Sequence, residues 1–287
     1  LANAKQGGVA AGPETNYNLA KLLGHYYEQF DADSSLAVPA EGYGGWKSTE
    51  VEICLEHTAL VVMHAWDTGT KEAYPGWHRH VEYLDRADQI LRTVFPGLLA
   101  TVRKSNMKLF HVVAEGDYYQ DYPGYQRCVQ IAGPAPQPQE KISSDQALDK
   151  LRAFKAGLGK HNAVDIERGW KNLDFATQAR PIGAEGIAES SHQLFGLCRA
   201  HSVNHLIYSG FALNWCLLLS PGGMAEMSKY GILCSVLRQA VTAVENKETA
   251  RHELCKQIAL WRVALEFGYV FDVGELIKAL RASPQER

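Results

Sequence analysis

The chain has 287 residues, 46% hydrophobic and 21% charged, an ordinary globular composition that excludes a disordered or fibrous protein. Its 29 basic and 32 acidic residues give a net charge of −3, without the basic excess of a dedicated nucleic-acid binder. No apolar run reaches the ~18 residues of a membrane span; the longest candidate, Leu206 to Leu219, is broken by Ser209, Gly210 and Asn214.

In chain order, Leu1 in place of Met reads as a processed or trimmed start. Residues 1–47 are rich in Gly and Ala and poor in β-branched residues, and they read as an N-terminal arm. Within it Tyr17 to Phe30 is predicted as a short helix capped by Asn16 or Asn18. Ala59-Leu60-Val61-Val62-Met63 is apolar without alternation, as in a strand buried on both faces. Val81, Leu84, Ile90, Leu91, Val94, Leu98 and Leu99 recur at helical spacing up to about Ser105, with a kink expected at Pro96. Lys108 to Ala114 is a second buried strand. Residues 115–147, rich in Tyr, Pro, Gln and Gly, read as a long loop. Asp145 to Leu158 is predicted as a helix capped near Ser143 or Ser144, and an irregular piece follows to Glu189.

Ser190 or Ser191 then caps a helix to about His201, and His205 to Gly210 is a third strand. A turn at Phe211–Trp215 leads into a helix from Cys216 toward Tyr230, which Gly231 stops. Ile232 to Leu237 is a fourth strand, and helices at about 247–266 and 273–282 close the chain. Strands alternating with helices predict an α/β fold: a three-layer α/β/α domain on a mainly parallel, Rossmann-like sheet. It spans 48–287, with an insertion at about 115–185.

Six cysteines, Cys54, Cys128, Cys198, Cys216, Cys234 and Cys255, form no C-x-x-C pair and no zinc-finger spacing. They read as reduced, mostly buried thiols of a cytoplasmic protein. His78 and His80 read as helix-surface histidines, and no phosphate-loop pattern is present. No metal or organic cofactor is expected.

The segment Gly210-Phe211-Ala212-Leu213-Asn214-Trp215-Cys216 sets a cysteine where a buried strand ends and a helix begins. Open α/β sheets place their sites there, and a helix N-terminus favours a thiolate. A buried Cys filling a turn is the plain alternative. Glu115, just after the second strand, is placed at the pocket mouth.

The stretch from Asn204 through Thr249 resembles the isochorismatase-like cysteine hydrolase superfamily. There a strand ending in Gly is followed by a short turn, an Asn or Asp, one residue and the nucleophilic Cys. Thr58 to Asp67 resembles the family's opening strand, with Trp66 and Asp67 matching. The resemblance implies a hydrolase that cleaves a C–N bond of a small amide-type molecule, and a homo-oligomer. Cys216 is its implied nucleophile, and the backbone N–H groups of Leu213 to Cys216 its implied oxyanion donors. Asn214 and Trp215 are placed in the pocket. Two positions depart from the family: His64 stands where its general base is an Asp, and between Phe175 and Glu189 the cation is Arg180, not a Lys. His64 either takes the thiol proton or is only a hydrogen-bonded residue at the end of a strand; Asp67 either orients it or, the reading preferred, is an exposed loop residue. The alternative is a non-catalytic member that binds a ligand or serves a structural role. Filling of the pocket by Trp66, Trp215 or Tyr118 favours that alternative.

Overall fold

The computed structural model describes residues 17–138 and 140–283, and it begins with a strand where a helix is predicted. In β1, Leu19–Glu28, Ala20 and Leu22 are buried while Lys21 and Leu23 face out, a period of two. Leu19, Leu22, Leu23 and Tyr26 also satisfy a helical period, and only a pairing partner decides between the two. That partner is β2, Gly45–Cys54, antiparallel to β1 along its whole length. The residues read as an arm thus contribute a strand to the sheet. Asn16 lies outside the described residues, and Asn18 precedes a strand rather than capping a helix.

The central strands are β3 Thr58–Met63, β5 Lys108–Val112, β8 His205–Gly210 and β9 Leu233–Val241. Between β3 and β5 come β4 Trp66–Asp67, α1 Pro75–His80, α2 Leu84–Thr93 and α3 Phe95–Val102. The predicted helix is indeed broken between α2 and α3, where Pro96 occupies the first turn of α3. The predicted loop at 115–147 contains a helix, α4 Pro123–Ala132, started by Pro123 and ended by Gly133 at φ +70°. It buries only Gly124 and Cys128, too little apolar surface for a periodic signal. Asp145, not Ser143 or Ser144, caps α5 Gln146–Ala156 by accepting the Ala147 and Leu148 N–H groups at 2.9 and 3.1 Å.

The irregular piece holds α6 Lys160–Lys171, β6 Asp174–Phe175 and β7 Gly186–Ala188. Ser190 caps α7 Ser191–Ala200. The helix predicted from Cys216 to Tyr230 is interrupted. Leu213–Leu217 is a single π-helical turn, and after Pro221-Gly222-Gly223 only α8 Met224–Met227 resumes. Gly222 is at φ +77°; its N–H donates to Ser191 Oγ and its carbonyl accepts from Tyr208 Oη, both at 2.8 Å. α9 Leu254–Glu266, β10 Val270–Phe271 and α10 Val273–Ala282 complete the chain. Two-residue β10 is too short to leave a pattern in sequence.

The eight-stranded sheet runs β2-β1-β10-β9-β8-β3-β5-β7, parallel from β10 to β7. Alternate residues of the central strands feed two cores. Leu60, Val62 and Ile207 pack under α2, α3 and α10. Val61, Met63 and Tyr208 pack under α4, α7, α8 and α9. This is the predicted three-layer α/β/α arrangement.

β3 and β8 end together, Met63 opposite Gly210. Gly210 is at φ +115°, and a Cβ there would lie 1.9 Å from the Met63 carbonyl oxygen. Gly210→Ala is therefore expected to cost about 3 kcal/mol or more, from strain plus a backbone clash. Urea denaturation checks this; a variant as stable as the wild type would show that the two strand ends are not this close.

Candidate functional site

The carboxyl ends of β3, β5, β8 and β9 share one edge of the sheet, where sites of this architecture lie. His64 leaves β3 at φ +49° and donates its backbone N–H to the Val112 carbonyl at 3.0 Å. Its side chain is buried and stacks on Trp66, with ring centroids 4.7 Å apart and planes 10° apart. Neither ring nitrogen has a hydrogen-bond partner among the described residues. Burial pulls the imidazole pKa down to about 4, so the ring is neutral at physiological pH. The expected imidazolium beside a thiolate is not what the geometry presents.

Trp66 is held in turn. Its indole Nε1–H donates to Tyr118 Oη at 2.7 Å, and Trp170 packs edge-on at 5.3 Å. On that side of His64, between Trp66, Tyr118 and Phe175, no room for a water molecule remains. Asp67 is exposed, and its carboxylate accepts the Gly69 N–H at 2.9 Å instead of orienting His64.

Cys216 sits in the π-helical turn, half-buried, against the core beneath α7 and α9. Its thiol makes no hydrogen bond to a described residue. The first groups of the turn are engaged elsewhere. The Leu213 N–H, expected to serve an oxyanion, donates to the Thr242 carbonyl at 2.8 Å. Asn214 grips the backbone of Val244 at both ends of its amide, at 2.8 and 2.9 Å. Trp215 is 60% exposed. Glu115 is exposed at φ +60°, and Arg180 forms an ion pair with Asp174 at 2.6 Å.

A cavity of about 440 Å³ opens on the α2 side, walled by His64, Trp66, Asp67, Tyr83, Gln178 and Phe211. Its charged rim is internally paired, Lys71 with Asp85 at 3.6 Å and Arg92 with Asp88 at 2.5 Å. Cys216, Asn214, Trp215, Glu115 and Arg180 do not line it. The chain crosses from one face of the sheet to the other between Phe211 and Leu213, so Phe211 joins the core under α2 and Cys216 the opposite one.

Tyr83, which sequence reasoning missed, is half-buried at the wall of the cavity, and its pKa is pushed up by burial, then by the negative charges of Cys216 and Glu82. A lone Tyr at the start of an amphipathic helix carries no sequence signal of its own. Nearby, Arg86 donates to Glu82, Thr242 Oγ1 and the Ala243 carbonyl, fastening the segment after β9 to α2. Among the described residues no group of three His, Cys, Asp or Glu is arranged to hold a metal ion.

Thiol accessibility separates the cysteines. Cys128, Cys198 and Cys234 are buried, and burial pushes each thiol up to about 12. With limiting iodoacetamide at neutral pH, Cys216 is expected to label while these three stay free, since the thiolate is the reacting form. Peptide mapping checks this; labelling of Cys128 ahead of Cys216 would contradict the burial described.

No protein-family model and no curated protein matches the sequence. Solved structures do. A cysteine hydrolase from Pseudomonas syringae pv. phaseolicola 1448A is similar at 14% identity and a TM-score of 0.47, over 80% of this chain and 95% of its own. An isochorismatase family protein from Burkholderia thailandensis is similar at 12% identity and a TM-score of 0.44, over 79% and 97%. An N-carbamoylsarcosine amidase from Thermoplasma acidophilum is similar at 15% identity and a TM-score of 0.37, over 76% and 97%.

Proposed function

We propose that this protein binds a small amide-type molecule in the cavity beside His64 and does not use a Cys–His relay. The observation that carries this reading is the state of His64. It is buried, neutral, stacked on Trp66, and without a partner at either ring nitrogen. Each such unmet group costs roughly 1–3 kcal/mol; both ring nitrogens are closed off from the cavity in this structure, so a ligand that supplies a donor and an acceptor recovers part of that cost by turning the ring toward it. An amide carries both. The positive φ at His64 adds backbone strain of the kind that clusters at ligand clamps. The filling by Trp66 and Tyr118 of the space on the far side of His64 belongs to the same reading.

A second reading, a cysteine hydrolase cleaving a C–N bond, is favoured by the place of Cys216. Its thiol is partly exposed at a strand-to-helix turn. On this reading the Cys216 sulfur adds to the amide carbonyl, the thiol proton passes to the departing amine, and water cleaves the thioester. The Leu213 and Trp215 N–H groups are taken by the Thr242 and Ala212 carbonyls, so those of Asn214 and Cys216 are the remaining candidate donors to the oxyanion among the described residues.

Benzamide separates the readings. Saturable binding is expected, retained in Cys216→Ala and lost in His64→Phe, with no ammonia released. The rate of Cys216 alkylation against pH is expected to be the same in wild type and His64→Ala. Ammonia release that disappears in Cys216→Ala installs the hydrolase, and absence of benzamide binding to the wild type overturns the first reading.

A further inference from the structure

A separate cavity of about 350 Å³ lies between the β1–β2 hairpin and the first turns of α9, sharing no lining residue with the one beside His64. Its floor is apolar, from buried Val270 and Leu260. One wall is Trp46, an indole that stays 44% exposed and meets Tyr27 edge-on at 5.5 Å; Tyr27 in turn meets Trp261 edge-on at 6.3 Å. The other walls carry Lys256 and Arg238.

The charges there are not equally matched. Asp272 is saturated: Arg238 donates to it twice at 2.6 Å, His25 Nε2 lies 3.0 Å away, and Gln239 donates a further bond. The other end of the Gln239 amide accepts the Val273 N–H. Lys256 is different. Its side chain is 18% exposed, and its ion-pair partner is Glu253, at 3.7 Å, beyond hydrogen-bond distance. Burial and the charge of Arg86 lower its pKa, and Glu253 and Glu245 offset this only in part. Lys256 thus lines a cavity whose floor is apolar, and among the described residues its ammonium has one long ion pair.

We propose that this cavity is a second ligand site, for a small flat molecule bearing a carboxylate. The carboxylate meets Lys256 and the outer edge of the Arg238 guanidinium. The flat apolar body lies on Val270 and Leu260 beside the Trp46 ring. At ~30 Å³ per water-sized group the space holds about a dozen heavy atoms, at the lower end of the usual range for ligand sites. The inference does not depend on the reading of the first cavity.

The test uses 2-naphthoate as probe, titrated calorimetrically into the full chain. The wild type is expected to bind one equivalent saturably. Lys256→Met weakens binding by about 10-fold or more, the worth of one charge-assisted hydrogen bond. Lys256→Arg holds it within about threefold, and Trp46→Ala weakens it by at least about fivefold. On the unaltered protein 2-naphthamide, of the same shape but uncharged, binds about 10-fold more weakly. Circular dichroism establishes that each variant is folded. No saturable binding by the wild type, equal binding of acid and amide, or wild-type affinity in both Lys256→Met and Trp46→Ala overturns the assignment.

Discussion

Acidification from pH 7 to pH 4 is expected to remove about 3 kcal/mol of folding stability through His64 and a similar amount through His205. Both are buried, and burial pulls each from the ordinary histidine value of 6.5 to about 4. The folded-state pKa lies below the unfolded one, so between pH 6.5 and 4 the unfolded chain binds more protons. The stabilisation is therefore complete above about 6.5 and is lost as the pH falls toward 4. The two contributions together rival the whole stability of a typical domain, about 5–15 kcal/mol. His205 keeps a hydrogen bond to Ser235 Oγ at 2.8 Å, whereas His64 has none among the described residues. The measurement is urea denaturation at pH 7 and pH 4.5 for wild type and His64→Asn, a residue that tolerates the positive φ. The variant is expected to lose about 2–3 kcal/mol less than wild type across that interval. Parallel losses would mean that His64 is not the neutral, enclosed ring described.

Glu185→Gln is expected to destabilise the protein by about 3–5 kcal/mol at pH 7, the usual cost of breaking a buried ion pair from one side. Glu185 precedes β7 and joins β5 to α3: Arg103 reaches both its oxygens, at 2.6 and 3.0 Å, and buried His111 Nε2 lies 2.9 Å away. Burial alone would raise its pKa, but the bonds from His111 and Arg103 outweigh it and hold the carboxyl down at about 2. The sign is that of a depressed carboxylate. The contribution is fully present above about 4.5, and it is lost as the pH falls from there through 2. Wild type should therefore show a second acid limb, below that of the histidines, which Glu185→Gln lacks. Denaturation curves at pH 7, 4.5 and 2.5 resolve the two limbs; an unchanged lower limb in the variant would show that another group is responsible.

The central layout is readable in the amino-acid sequence because burial on both faces leaves continuous apolar runs. Thr58–Met63, Lys108–Val112 and His205–Gly210 show them, and short polar or glycine-bearing segments separate them from amphipathic helices. The same holds for the break at Pro96, the Ser190 cap and the Gly231 stop, whose causes are local. What failed is what pairing or docking decides. Leu19 to Glu28 fits both a helix and a strand until β2 lies beside it, and α4 buries two residues and has no periodic signature. The sequence places His64 and Cys216 each just beyond a buried strand; tertiary structure makes those strands neighbours and decides what each end does. Between Phe211 and Leu213 the chain passes to the other face, Trp66 closes over His64, and Thr242 and Val244 occupy the polar groups of the turn. The bonds of Leu213 and Asn214 join residues about 30 positions apart, Trp66 is held over His64 by the distant Tyr118 and Trp170, and the crossing depends on which side of the sheet the turn takes. No spacing rule along the chain carries such information.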